Sequence, residues 1–208
     1  MRRESSTMVV LVGEVGEALL AELGRSGNVS VARAPAAKGG PGAAGAAEPA
    51  QARPGWEAGA LAMREAAGRQ SSYVIVPEDP LAAVAAAWRA MWDVGAGPGG
   101  AAAFEERAAE ALAAWRDKRF ELPDYYLVLA HADGSGPDLY LGPLRAARER
   151  RVAVAAAGDG DGPGQAARVL DALRSLPQGP WWPPLGELID VARHFYAGGL
   201  AETQQVPG

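Results

Sequence analysis

Met8-Val-Val-Leu-Val12, Gly13-Glu-Val-Gly16 and Glu17-Ala-Leu-Leu-Ala-Glu-Leu23 decide the fold of this chain. The first run is apolar and β-branched without alternation, as a strand buried on both faces must be. Gly13 ends it. From Glu14 the apolar residues change period, with Val15, Leu19, Leu20 and Leu23 forming a helical stripe that Gly24 and Gly27 close. A doubly buried strand that feeds a helix after a short glycine turn is the opening of a βα unit.

The same alternation runs on through the chain. Asn28–Ala34 is a second, weaker strand, and Trp56–Gly68 has a helical pattern. Tyr73–Val76 is a third strand. Asp79 then stands as a cap with Pro80 at the first helical position, where the missing N–H costs nothing. Leu81, Val84, Trp88, Met91 and Trp92 follow at helical spacing, and a further helix is expected over 101–119. Tyr125–Ala130 and Val152–Ala157 are strands four and five, with a short helix between them near Pro143. Gln165–Leu176 is amphipathic, and a last helix, at about 185–197, turns Leu185, Leu188, Ile189, Ala192, Phe195 and Tyr196 inward. This predicts an α/β fold: three layers, doubly wound, a mostly parallel five-stranded sheet with helices on both faces and a Rossmann-like or flavodoxin-like outline. Strand order 2-1-3-4-5 is the expected one. The whole chain, 1–208, reads as a single domain, with a flexible low-complexity loop at about 35–55 made of Ala, Gly and Pro.

Composition narrows the function. Net charge is −5, which argues against a partner held by phosphate neutralisation, so neither nucleic acid nor an anionic membrane is expected. With no cysteine, thiolate nucleophiles, thiolate zinc sites and disulfides are excluded. The apolar run at Met8–Val12 is too short for a signal-peptide core or a membrane span, and a cytoplasmic location is expected.

The turn Gly13-Glu-Val-Gly-Glu17 sits where nucleotide-binding folds hold phosphate. A phosphate loop needs the pattern GxxxxGK followed by Ser or Thr, so that backbone amides cradle the anion and lysine neutralises it. Here lysine and the hydroxyl are missing and two glutamates stand in their region. The layout resembles a small GTPase or a receiver domain in outline alone, since none of the residues that define those families is matched.

Other signals gather where the strands end. His131 and Asp133, one residue apart, share a face of an extended chain and form a candidate base with its orienter, or a ligand pair. No cofactor is predicted; Asp133, Asp159 and Asp161 are the candidate metal ligands, and Mg²⁺ is the ion they would suit. Glu14, Glu78 and Asp79 fall on the same carboxyl edge, the edge at which open α/β sheets bind ligands. The plain alternative is that Gly and Asp are what loops use. Arg145, Arg148, Arg150 and Arg151 crowd a helix end, either for an anion or as ordinary C-terminal cations. Trp181-Trp-Pro-Pro184 presents two adjacent rings that cannot both enter one small core. Trp181 and Trp182 therefore mark either a partner surface or a rigid lid over the sheet.

The leading expectation is a non-catalytic, pseudo-NTPase-like α/β module that acts through protein–protein interaction. The first alternative is a divalent-metal-dependent enzyme using the acidic rim on a phosphorylated or sugar-nucleotide substrate. The second is a small-molecule sensor.

Overall fold

The computed structural model of the protein describes residues 6–35, 55–92, 97–129, 139–156 and 162–203. In chain order, β1 (Thr7–Val12) leads into α1 (Glu17–Gly24), then β2 (Val29–Val31), α2 (Gly55–Ala66), β3 (Tyr73–Val76), α3 (Ala82–Ala90) and α4 (Gly97–Arg116). After β4 (Tyr125–Leu129) come a π turn (Tyr140–Leu144), the single turn α5 (Arg145–Ala147), a 3-10 turn (Glu149–Arg151) and β5 (Val152–Ala155). Then α6 (Pro163–Arg174) and α7 (Leu185–Thr203) follow. The low-complexity loop expected at 35–55 falls, over 36–54, outside the described residues.

All five strands are parallel, in the order β2-β3-β1-β4-β5. Val9 stands opposite Ile75 on one side and Tyr125 on the other. Successive residues of β1 face opposite layers, as strand geometry requires. Val9 and Leu11 pack with α1 and α6, through Leu19, Leu23, Val169 and Leu173. Val10 packs the other way, into the larger core of α2, α3, α4 and α7, around Trp88, Phe104 and Tyr126. The three-layer reading stands.

The expected order 2-1-3-4-5 is corrected: β3, not β1, lies next to β2. Both candidate orders put the same short strand, Val29–Val31, at the edge, and differ only in exchanging β1 and β3. Those two runs are equally apolar and equally buried, Val9, Val10, Ile75 and Val76 all being inaccessible to solvent, so hydrophobic patterning has no means of ranking them.

Two helix assignments also shift. Asp79 does not cap a helix that starts at Pro80. Its Oδ1 accepts the Leu81 N–H at 2.9 Å, its carbonyl accepts the Ala82 N–H at 3.2 Å, and α3 begins only at Ala82. Phe195, expected in the core, is 42% exposed.

Candidate functional site

The carboxyl edge of the sheet is built from the strand ends upward. Gly13 leaves β1 with φ of 121°, a conformation that favours glycine, and a Cβ there would stand 3.1 Å from both Cβ and O of Leu129. The turn therefore passes tightly over β4. The N-cap of α1 is Gly16, with no side-chain cap, and the acid in the first helical turn is Glu17. The positive end of the helix dipole is thus met by a carboxylate of the chain itself.

Glu17 is held in turn by Arg33, at the end of β2, through two hydrogen bonds of 2.8 and 2.7 Å. This fork geometry lets arginine grip both carboxylate oxygens at once. The bond to Arg33 lowers the Glu17 pKa below its ordinary value, and the same bond raises that of Arg33. Glu78, at the end of β3, completes the group. Burial raises its pKa, against the backbone N–H groups of Glu78 itself and Ala34 and the charge of Arg33, which lower it. Its Oε2 is buried and accepts no hydrogen bond among the described residues. Glu14 is exposed on the turn.

Asp79 turns away from this group, into the core. It is 8% exposed, and its Oδ2 accepts the hydroxyl of Tyr140. The ring of Tyr140 lies 5.2 Å from that of Tyr126, and burial, then the charge of Asp79, holds the Tyr126 hydroxyl well above its ordinary pKa. Tyr126 stays neutral, and its hydroxyl makes no hydrogen bond of normal geometry among the described residues. Asp79 therefore ties the end of β3 to the π turn from inside.

His131, Asp133, Asp159 and Asp161 all lie outside the described residues. Among the described residues, no three His, Asp or Glu side chains gather as a metal group.

Three arginines of the cluster, Arg148, Arg150 and Arg151, bond backbone carbonyls. Arg151, 9% exposed, donates Nε to the Pro180 carbonyl at 2.9 Å, Nη2 to Gly179 at 2.7 Å and Nη1 to Asp124 at 3.2 Å. Its guanidinium lies 5.0 Å from the ring centre of Tyr125 and 4.8 Å from that of Trp181. Arg148 donates to the Trp181 carbonyl at 2.8 Å, and Arg150 to that of Gln178 at 3.1 Å. Three arginines thus rivet the strap 178–181 to the sheet edge. The adjacent tryptophans divide as their neighbours dictate. Trp182 turns inward, stacks edge-on to Tyr126 at 5.7 Å and donates Nε1–H to the Pro123 carbonyl at 2.7 Å. Trp181 is 40% exposed. Of the two rings marked as a partner surface or lid, Trp181 is the exposed one and Trp182 the buried one.

Sequence reading missed the Glu17–Arg33 pair and the Asp79–Tyr140 bond. A partial signal existed for the first: in a parallel sheet the opening turn of α1 and the end of β2 lie on the same edge, although β3 stands between the two strands. No comparable signal pointed to Tyr140.

Fold and corner together define a three-layer α/β protein with a parallel sheet in which the turn after the first strand is acidic. Comparison of the chain with protein-family models, with curated proteins and with solved structures gives no match. No described helix is long and apolar enough to cross a membrane.

Proposed function

We propose that this chain is a non-catalytic α/β module with the outline of a nucleotide-binding protein, and that it acts by docking a protein partner. One observation carries the reading: at the head of α1 the chain places Glu17 and closes it with Arg33. A nucleotide triphosphate brought to this turn would meet Glu14 and Glu17 where a phosphate loop offers lysine. The cation at hand, Arg33, is already engaged by both its terminal nitrogens. The partner side of the reading rests on Trp181. Its ring is exposed, yet its backbone and its face are both fixed by arginines. Rigid aromatic anchors lose little side-chain entropy on docking, which is why they dominate interface energetics.

A thermal-shift screen with ATP, GTP, sugar nucleotides, Mg²⁺ and Mn²⁺ tests the first half, because a ligand bound only by the native state raises Tm. No shift is expected. Affinity capture with wild type and Trp181→Ala tests the second half. The reading expects a discrete partner that the variant loses while it remains folded; no discrete partner, or a partner retained by the variant, counts against it.

A metal-dependent enzyme is the second reading, and Glu78 is the observation in its favour. A half-buried carboxylate with an unpartnered oxygen is what a cation would relieve. A Tm raised by Mg²⁺ or Mn²⁺ in wild type and not in Glu78→Gln would establish the cation site this reading needs.

A further inference from the structure

At the opposite edge of the sheet, where the strands begin, a cavity of about 860 Å³ opens between α2, the starts of β1 and β3, and the segment 118–124. Cavities of about 300–1,000 Å³ hold small organic ligands. Its floor is apolar and lies at the margin of the larger core: Met63, Val74, Phe120 and Leu122 are each no more than 6% exposed. Its rim is cationic. Arg64, Arg69, Lys118 and Arg119 face two carboxylates, Glu121 and Asp124, so the lining is net positive in a chain of net charge −5.

The rim charges are not equally committed. Arg69 pairs with Glu65 at 3.2 Å, and Arg119 with Asp117 at 3.5 Å while its guanidinium stacks 5.7 Å from the Trp56 ring centre. Asp124 accepts the Met8 N–H at 2.8 Å. Lys118 and Arg64 have no carboxylate partner among the described residues; the one bond Arg64 makes runs from Nε to the Ala60 carbonyl of its own helix, at 3.3 Å.

Lys118 carries a second, independent feature. Beyond the end of α4, the Arg119 N–H returns to the Ala114 carbonyl at 2.9 Å and the Lys118 N–H to that of Trp115 at 3.0 Å. This is the paired bond of a Schellman cap, whose left-handed residue is most often glycine. Here it is Lys118, with φ of 57°. A non-glycine residue in this region costs free energy, and such strain concentrates where a side chain is needed. A basic side chain at that cap points to a function at the cavity rim.

We propose that this amino-edge cavity binds a small amphipathic anion, its apolar body on Met63, Phe120 and Leu122 and its head group between Lys118 and Arg64. A neutral apolar ligand would leave the two cations without a counter-charge. A small hydrophilic anion would leave the apolar floor in contact with water. Only a molecule with both parts satisfies both surfaces. The site is separate from the Glu17–Arg33 corner, at the other end of the strands, and stands or falls without it.

Isothermal titration of the full chain with decanoate, decanol and acetate reads the two halves of the ligand separately. Decanoate is expected to saturate one site, with decanol and acetate each weaker by about tenfold or more, the loss of one charge-assisted contact or of the apolar burial. Lys118→Gly should weaken decanoate about tenfold while its Tm is equal to or above wild type, because glycine relieves the left-handed backbone. Arg64→Gln, on the exposed face of α2, should weaken it by a similar factor with Tm unchanged. The proposal is overturned by the absence of saturable decanoate binding, by equal affinity for decanol, or by undiminished decanoate binding in both variants.

Discussion

Replacing Gly59 by alanine inside α2 tests the packing that sets the carboxyl edge. At an exposed helix-interior position the change would stabilise the protein by about 1 kcal/mol, since alanine is the better helix former. At Gly59 a Cβ would stand 2.3 Å from the Pro80 nitrogen and 2.7 Å from both the Asp79 carbonyl carbon and Pro80 Cδ. These are backbone and ring atoms, with no flexible end to swing aside. To restore an ordinary contact, α2 and the 79–81 turn must separate by roughly 1 Å, a strain of the overpacking kind. That movement loosens Ala60, Ala62 and Met63, all buried in the larger core, and pulls on the bonds from Asp79 to Leu81 and Tyr140. Overpacking costs about 1–3 kcal/mol, and a stretched hydrogen bond adds about 1 kcal/mol. After the helix-propensity gain is subtracted, net destabilisation of about 2 kcal/mol is expected. Urea unfolding followed by tryptophan fluorescence reads it as a lower midpoint at unchanged slope. Gly99→Ala is the control, because a Cβ there meets nothing within 4 Å. It should be neutral or stabilising by up to about 1 kcal/mol. A Gly59→Ala protein as stable as wild type would refute the close approach of α2 to Pro80.

Arg151→Met removes three donors to the carbonyls of Asp124, Gly179 and Pro180 and should cost about 3 kcal/mol; Arg151→Lys should recover little, because an ammonium cannot reproduce the fork. A Tm within about a degree of wild type for Arg151→Met would show that the strap holds without it. Trp182→Phe keeps an aromatic ring beside Tyr126 but orphans the Pro123 carbonyl, and should lower stability by about 2 kcal/mol in urea titration. Glu78→Gln should raise Tm at pH 7 and leave it unchanged at pH 4. Burial places the folded pKa of Glu78 above its ordinary 4.5, so its penalty is absent below that value and grows as pH rises through the folded pKa. An equal Tm change at both pH values would contradict that origin. Glu105, whose pKa is lowered by its bonds to Arg193, has the opposite sign: its small contribution is present above 4.5 and is lost as pH falls through the folded pKa, so Glu105→Gln should lower Tm slightly at pH 7 and not at pH 2.

Much of the architecture was legible because two periods alternate cleanly along the chain. Tyr73–Val76 is a strand at the very residues where four apolar residues follow two serines. Strand order was not legible, because Met8–Val12 and Tyr73–Val76 are equally fit for the centre of a sheet. Arg148, Arg150 and Arg151 could be counted but not assigned, since their acceptors across the fold are backbone carbonyls, most of them in 178–181, which carry no side-chain signature. The tryptophan pair was readable as one ring in and one ring out; which was which depended on Pro123 and Tyr126, far away in the chain. The acidic turn after β1 was visible as two glutamates, but the arginine that closes it comes from the end of β2. Least legible was the amino-edge cavity. Its walls come from residues 6–8, 60–74 and 118–124, and its most informative feature, the backbone of Lys118, has no expression in residue type.

The acidic, closed corner at the head of α1 is the centre of the functional account, and equilibrium dialysis of the full chain against Mg²⁺-ATP and Mg²⁺-GTP tests it most directly. With Glu17 held by Arg33 and no lysine at the turn, the triphosphate charge is uncompensated, and no saturable binding is expected up to about 1 mM nucleotide. Saturable binding with a dissociation constant in the micromolar range would contradict it, and would show that the corner opens to take the phosphates the sequence leaves without a partner.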